Sequence, residues 1–188
     1  MMKYLTLVEE VKMKKSDLLH LVILFNNFLQ VYLLEPLARE LNITPSQLTC
    51  LRYLYLHSGV KLNQVAEGLK VSCGAASRLL DRLEEKGLLT RKIDEHDRRV
   101  QQLILTSEGK AIAEKSMGLM KEKFSALLDK FSTDEHIVFE EFLTMFLQKS
   151  LDDPEIVKEM CLRCGDLHKP DCLGNVIFKK LVGKELKG

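Results

Sequence analysis

Tryptophan is absent from this 188-residue chain, aromatic residues make up 6% of it, and there are only 4 prolines. That poverty excludes the pattern of a β-sandwich and points to a helix-rich protein. Charge of one sign is missing too. The formal net charge is +1, so the chain as a whole is no polycation, and any acidic partner has to meet a local basic face. A long uninterrupted apolar run is also lacking. The stretch from Leu18 to Leu41 is broken by Asn26, Asn27, Gln30, Glu35, Pro36, Arg39 and Glu40. Ionised groups are costly in hydrocarbon, which argues against a membrane span. The start, MMKYLTLVEEVKMKK, has neither the apolar core nor the small-residue cleavage site of a secretory signal. These absences predict a cytoplasmic address without structural disulfides. No nucleophile–base constellation, phosphate-binding glycine loop or paired-carboxylate motif stands out, so no enzyme is expected.

What is present suits a soluble folded chain: 46% of residues are hydrophobic and 29% charged, which allows one domain, or one domain with an appendage. The expected fold class is mainly α with a small β-hairpin wing. Residues 1–15 fit a short helix or an arm. Ser16-Asp17 is a plausible cap for a long helix to about Leu41, apolar nearly all round, with a kink expected at Pro36. Such a helix is either the core of a monomer or partly an interface with a second subunit. Thr44-Pro45-Ser46-Gln47 fits a capping box that starts the next helix. Expected regions are 1–41 (an N-terminal helix region), 42–109 (winged helix-turn-helix), 110–153 (C-terminal helices) and 154–188 (a cysteine-rich extension).

Lys61 to Gly109 is the centre of the functional reading. Leu62, Val65, Ala66 and Leu69 form one face of a first helix. Ser72 can cap a second, from about Cys73 to Lys86, with Ala76, Leu79, Leu80 and Leu83 facing inward and Gly87 ending it. A hairpin follows, its turn at Asp94 to Arg99 and its return strand at Val100 to Leu105. Thr106 caps the next long helix. Basic and acidic residues nearly balance across the region, but Arg91, Lys92, Arg98 and Arg99 gather at the wing.

On the second helix, Gly74, Ala75 and Ser77 are small enough to let it lie deep in a major groove, with Ser77 and Arg78 reaching base edges. Ser72 and the helix N-terminus can hold a phosphate, and Arg82, one turn on from Arg78, can touch backbone. Arg98 and Arg99 suit a narrow minor groove, with Asp94 and Asp97 orienting them. The same charges can equally be a solvated helix face and a solvated hairpin, and winged helices also serve as protein-interaction modules.

Lys61 to Gly109 also resembles the winged helix-turn-helix of the MarR family. The matching pieces are LNQVAEGL, SCGAASRLLDRLEEKGLLTRKIDEHDRR and LILTSEG, including the D-x-x-D-R-R run from Asp94 to Arg99. The resemblance extends more loosely from Ser16 to Ser150. It implies a homodimer, held by the N-terminal and last helices, that regulates transcription by binding a pseudo-palindromic operator in double-stranded DNA. It also implies response to a small-molecule effector or to cysteine oxidation. Gly74 departs from it as a weak helix former, and residues 155–188 lie outside it.

That extension contains CLRCGDLHKPDC. Cys161, Cys164, His168 and Cys172 have the ligand types and short spacings that can close a zinc tetrahedron, although each later gap is one residue shorter than in a zinc knuckle. The alternatives are an iron–sulfur cluster, a Cys161–Cys164 redox pair, or thiols without a ligand. A cluster-bearing electron-transfer protein is the corresponding functional alternative. Cys50 reads as core, and Cys73 as a packing residue or a thiol sensor. His20, His57, His96 and His136 form no spaced ligand set.

Overall fold

A computed structural model describes residues 15–93, 101–164 and 169–185 of the chain. All but the last residue of the expected arm at 1–15, the expected turn at 94–99 and His168 lie outside the described residues. Helix α1 (Lys15–Leu29) runs through a π turn (Gln30–Leu34) into α2 (Glu35–Glu40). Then come α3 (Pro45–Leu56), α4 (Leu62–Leu69) and α5 (Cys73–Glu85). Strands β1 (Leu89–Ile93) and β2 (Gln101–Leu105) follow, then α6 (Ser107–Leu128), α7 (Thr133–Ser150), α8 (Pro154–Arg163) and α9 (Leu173–Val182). The fold is that of a winged helix: mostly helical, with one two-stranded antiparallel hairpin among the described residues.

Local chemistry sets most boundaries. The Thr44 hydroxyl accepts the Gln47 N–H at 3.2 Å, and the Gln47 side chain accepts the Thr44 N–H at 2.9 Å, which completes the expected capping box. The hydroxyls of Ser72 and Thr106 each accept one N–H and cap α5 and α6, and Ser132 caps α7 with a second capping box. Gly87 ends α5 with φ +71°. At Pro36, which lacks an N–H and whose ring crowds the preceding turn, the chain widens rather than breaks. The π turn ends with the Glu35 N–H bonded to the Gln30 carbonyl, and Pro36 sits in the first turn of α2. The first helix is already formed at Lys15, ahead of the expected cap at Ser16-Asp17; Ser and Asp only weakly disfavour helix and do not by themselves start one.

The main core joins α2, α3, α4, α5 and the wing. Leu37, Leu51, Val65, Leu80, Leu83 and Leu89 are all buried in it, and so is Cys50, as expected. The hairpin register pairs Leu89 with Leu105 and Arg91 with Leu103. The Leu103 N–H also bonds to the Val60 carbonyl at 3.1 Å, so the segment before α4 lies along the wing's return strand. Gln101 is exposed, but Gln102 is half-buried rather than exposed.

Two glycines permit close approaches that no side chain would. A Cβ on Gly68 would lie 2.3 Å from the Tyr53 ring, whose hydroxyl donates to the Gln64 carbonyl at 3.1 Å. A Cβ on Gly109 would lie 2.1 Å from the Leu88 carbonyl oxygen. There the start of α6 closes on the end of α5: the Thr106 N–H bonds to Leu88 O at 3.2 Å, and the Thr106 hydroxyl donates to Gly87 O at 2.8 Å.

The core-helix reading of α1 does not hold within one chain. Leu18 to Phe28 is exposed along its whole length, and burial begins only at Leu33. Among its described residues α7 buries none; Ile137, Phe142 and Phe146 face solvent. Phe25 and Phe139 meet edge-on at 6.1 Å, joining α1 and α7 into one uncovered apolar surface. The cysteine-rich extension forms two helices, α8 and α9. Val157, Ile177 and Phe178 bury one another in a small separate cluster with Leu151, Cys161 and Leu173 packed around it.

Gly109→Ala is expected to destabilise the fold by about 1–3 kcal/mol, because the Leu88 carbonyl is backbone and has to be pushed aside. Urea unfolding of the variant should show a lower midpoint at unchanged slope. Gly118→Ala, at a position where a Cβ meets nothing within 4 Å, should not lower it.

Candidate nucleic-acid interface

Helices α4 and α5 meet at a tight joint. Lys70 caps α4 in the left-handed region, with φ +53°, and its N–H bonds back to α4 carbonyls at Ala66 and Glu67. A non-glycine residue there costs roughly 1–2 kcal/mol, which the following contacts offset. The Val71 N–H returns to Ala66 O at 3.0 Å. The Ser72 hydroxyl then accepts the Ala75 N–H at 3.2 Å and opens α5.

Helix α5 buries Ala76, Leu80 and Leu83 against the core. Ser72, Cys73, Gly74, Arg78 and Arg82 lie on the other side, with Ala75 and Ser77 half-buried beside them. Gly74, Arg78 and Arg82 follow one another at four-residue spacing and form one stripe. An Arg78 guanidinium nitrogen lies 3.8 Å from where a Gly74 Cβ would be, so Arg78 folds back along the helix over the glycine. Ala75, Arg78, Leu79 and Arg82 line a shallow depression of about 210 Å³ together with Val71 and Ser46. Ser46, in the first turn of α3, was not anticipated at this face; nothing in its local sequence marks it. The whole of the expected α5 set, Ser72, Gly74, Ala75, Ser77, Arg78 and Arg82, thus sits at one helix, and its exposed members share one face. Asp94, Asp97, Arg98 and Arg99 lie outside the described residues.

Arg91 plays a different part from the one its charge suggests. Its guanidinium bonds to the Asp81 carboxylate and lies 3.5 Å from Glu84. It therefore ties β1 to α5 instead of joining a free basic wing. The three side chains are all partly solvated, so the stabilisation is modest, about 0–1 kcal/mol; the effect is to orient the wing relative to the helix. Lys86 makes another such tie, donating to Asn42 O at 2.7 Å.

The cysteines divide by environment. Cys50 is buried, and burial pushes its thiol up to about 12. Cys73 is exposed near the start of α5, its sulfur 3.5 Å from the Asn63 side-chain oxygen. In the extension, Cys161 lies in the last turn of α8, and Cys164 caps that helix through an N–H bond to Cys161 O at 3.3 Å. Cys172 caps α9: its sulfur accepts the Asn175 N–H at 3.4 Å. The Cys161 thiol is pushed up, by burial first and then by Cys172 and Cys164. Among the described residues no three His, Cys, Asp or Glu side chains already stand as a metal-holding group.

At neutral pH, alkylation of the native protein is expected to modify Cys73 and Cys164 first and Cys50 only after unfolding; peptide mass mapping with and without urea checks the order. Ser72→Ala should cost about 1 kcal/mol through loss of the α5 cap, read as a lower unfolding midpoint.

Comparison with known proteins agrees with this geometry. The MarR family model matches residues 43–100, the span that holds α3, α4, α5 and β1. The chain is 32% identical over 127 residues to the HTH-type transcriptional repressor MdtR of Bacillus subtilis, covering 68% of this chain and 81% of that one. The crystal structure of MepR, a transcription regulator of the Staphylococcus aureus multidrug efflux pump MepA, superposes with a TM-score of 0.64 at 26% identity, covering 73% of this chain and 98% of that one. A single-residue mutant of S. aureus MepR bound to an oligodeoxyribonucleotide superposes at 0.56 with 26% identity over 73% of this chain and 99% of that one. Capped helix α5, hairpin wing and sequence agree, and the chain belongs to the MarR family of transcriptional regulators.

Proposed function

We propose that the protein is a homodimeric regulator that reads a pseudo-palindromic operator, with α5 in the major groove and the wing tip at Arg98 and Arg99 in the adjacent minor groove. The observation that carries this reading is the exposed Gly74–Arg78–Arg82 stripe on a helix whose other side is locked into the core. A helix so mounted presents small residues and two arginines to a groove that admits little more than a helix. The MepR mutant bound to an oligonucleotide supports DNA as the partner.

The second subunit follows from the uncovered surface of α1 and α7. Leu18–Glu40 is long and apolar enough to cross a bilayer by length and composition, but Glu35, Arg39 and Glu40 crowd one end of it. Its apolar side chains continue onto α7 through Phe25 and Phe139, as a subunit interface would. Two-fold pairing would set two copies of α5 on half-sites one helical turn apart. The regulator would then work in the cytoplasm, with no membrane partner, and its operator affinity would respond to a small-molecule effector or to the C-terminal extension.

Binding to a duplex library should weaken steeply as salt rises. Arg78→Ala is expected to cost about 1–3 kcal/mol and relax base preference, and Arg82→Ala to weaken binding to all sequences and lower the salt slope by about one. Binding that ignores salt and both substitutions would place the winged helix among protein-interaction modules instead. Phe25→Glu with Val22→Glu should yield a folded monomer by sedimentation and abolish tight operator binding; a monomeric parent protein would overturn the dimer.

A further inference from the structure

We propose that Cys161, Cys164 and Cys172 are three thiolate ligands for a soft transition-metal ion of the zinc class, and that the metal fastens the α8–α9 hairpin onto the reading head so that its occupancy sets operator affinity. The regulatory half rests on the DNA-reading function proposed above; the metal site does not.

The three sulfurs come from the two places where α8 ends and α9 begins, so a shared ion would close the hairpin at its connecting turn. The start of α9 is built around two of them, Cys172 and Cys161. Asn175 is wholly buried; its side-chain amide donates to Pro170 O at 2.8 Å, and its backbone N–H points at the Cys172 sulfur. An N–H directed at sulfur stabilises a thiolate and orients it, which is what a supporting residue does for a metal ligand. Gly174 leaves room on the other side, since a Cβ there would lie 2.8 Å from the Cys161 sulfur. Thiolates select zinc or iron over magnesium or calcium. Three protein ligands leave the fourth position for water or an incoming ligand.

The sulfurs do not stand in finished ligand geometry. Binding therefore has to draw Cys164, the exposed one, in from the end of α8. Three thiols give up three protons to solvent as the ion takes three thiolates, with no change of oxidation state.

The movement has a path to DNA. Helix α8 packs against α4, and Glu159, one turn before Arg163, bonds to the Lys70 ammonium at 3.1 Å. Lys70 is the left-handed residue at the α4–α5 joint. Val157 anchors the same helix in the cluster with Ile177 and Phe178. A shift at the end of α8 thus reaches the turn that aims the reading helix.

The test uses the full chain, reduced and stripped by chelator, then titrated with Zn²⁺ or Co²⁺ alone. One ion per chain is expected, with Co²⁺ giving thiolate charge-transfer bands. Cys161→Ser, Cys164→Ser and Cys172→Ser should each weaken binding at least about tenfold, while Cys50→Ser and Cys73→Ser leave it unchanged. Absence of the bands, equal loss in the Cys73 variant, or a chain that carries iron and sulfide instead would overturn the zinc site. Zn²⁺ should change operator affinity by about 5–150-fold. Glu159→Gln should keep zinc binding while reducing that change. Zinc binding with unaltered operator affinity would overturn the regulatory half. A stripped and a loaded chain that both fail to bind any duplex would refute the DNA reading and leave the metal site standing.

Discussion

The carbonyl of Leu88 and the missing side chain of Gly109 are the contact on which the reading head depends. With 2.1 Å between that oxygen and a would-be Cβ, only glycine lets α6 begin directly over the end of α5. Thr106 then secures the junction through its N–H on Leu88 and its hydroxyl on Gly87. Helix α5, the hairpin root and the long helix that follows become one packed body. A displacement of that long helix is therefore carried to α5, because close-packed interiors transmit displacement instead of absorbing it.

Charge is used on this body in two distinct ways. Arg91, with Asp81 and Glu84, and Lys86, with the Asn42 carbonyl, spend their charges on internal geometry. Arg78 and Arg82 stand exposed on the outer face of α5. The near-neutral overall balance, +1, conceals this division. Exposed ion pairs contribute little stability, so the internal pairs matter for direction more than for energy.

Outside the reading head, two surfaces are unlike a finished monomer. The α1–α7 face exposes large apolar side chains over a long extent, more than scattered exposure accounts for. The extension has the opposite character: a small core of its own and a charged contact with the α4–α5 joint.

Much of this was legible along the chain. Helix starts at Thr44, Ser72 and Thr106 were readable because a cap joins residues three apart, a distance that sequence preserves. The hairpin and the inward face of α5 followed from periodicity. The family resemblance rested on the same short pieces. Tertiary structure alone decided the rest. It showed that Arg91 serves the helix rather than the wing's charge, that Ser46 borders the reading face, and that Gly68 and Gly109 are demanded by a ring and a carbonyl well separated from them in sequence. It also left α1 exposed from Leu18 to Phe28 and formed two helices in the extension, one of them resting on α4. Each of these depends on which distant groups the fold brings together, and neither spacing nor composition encodes such a meeting.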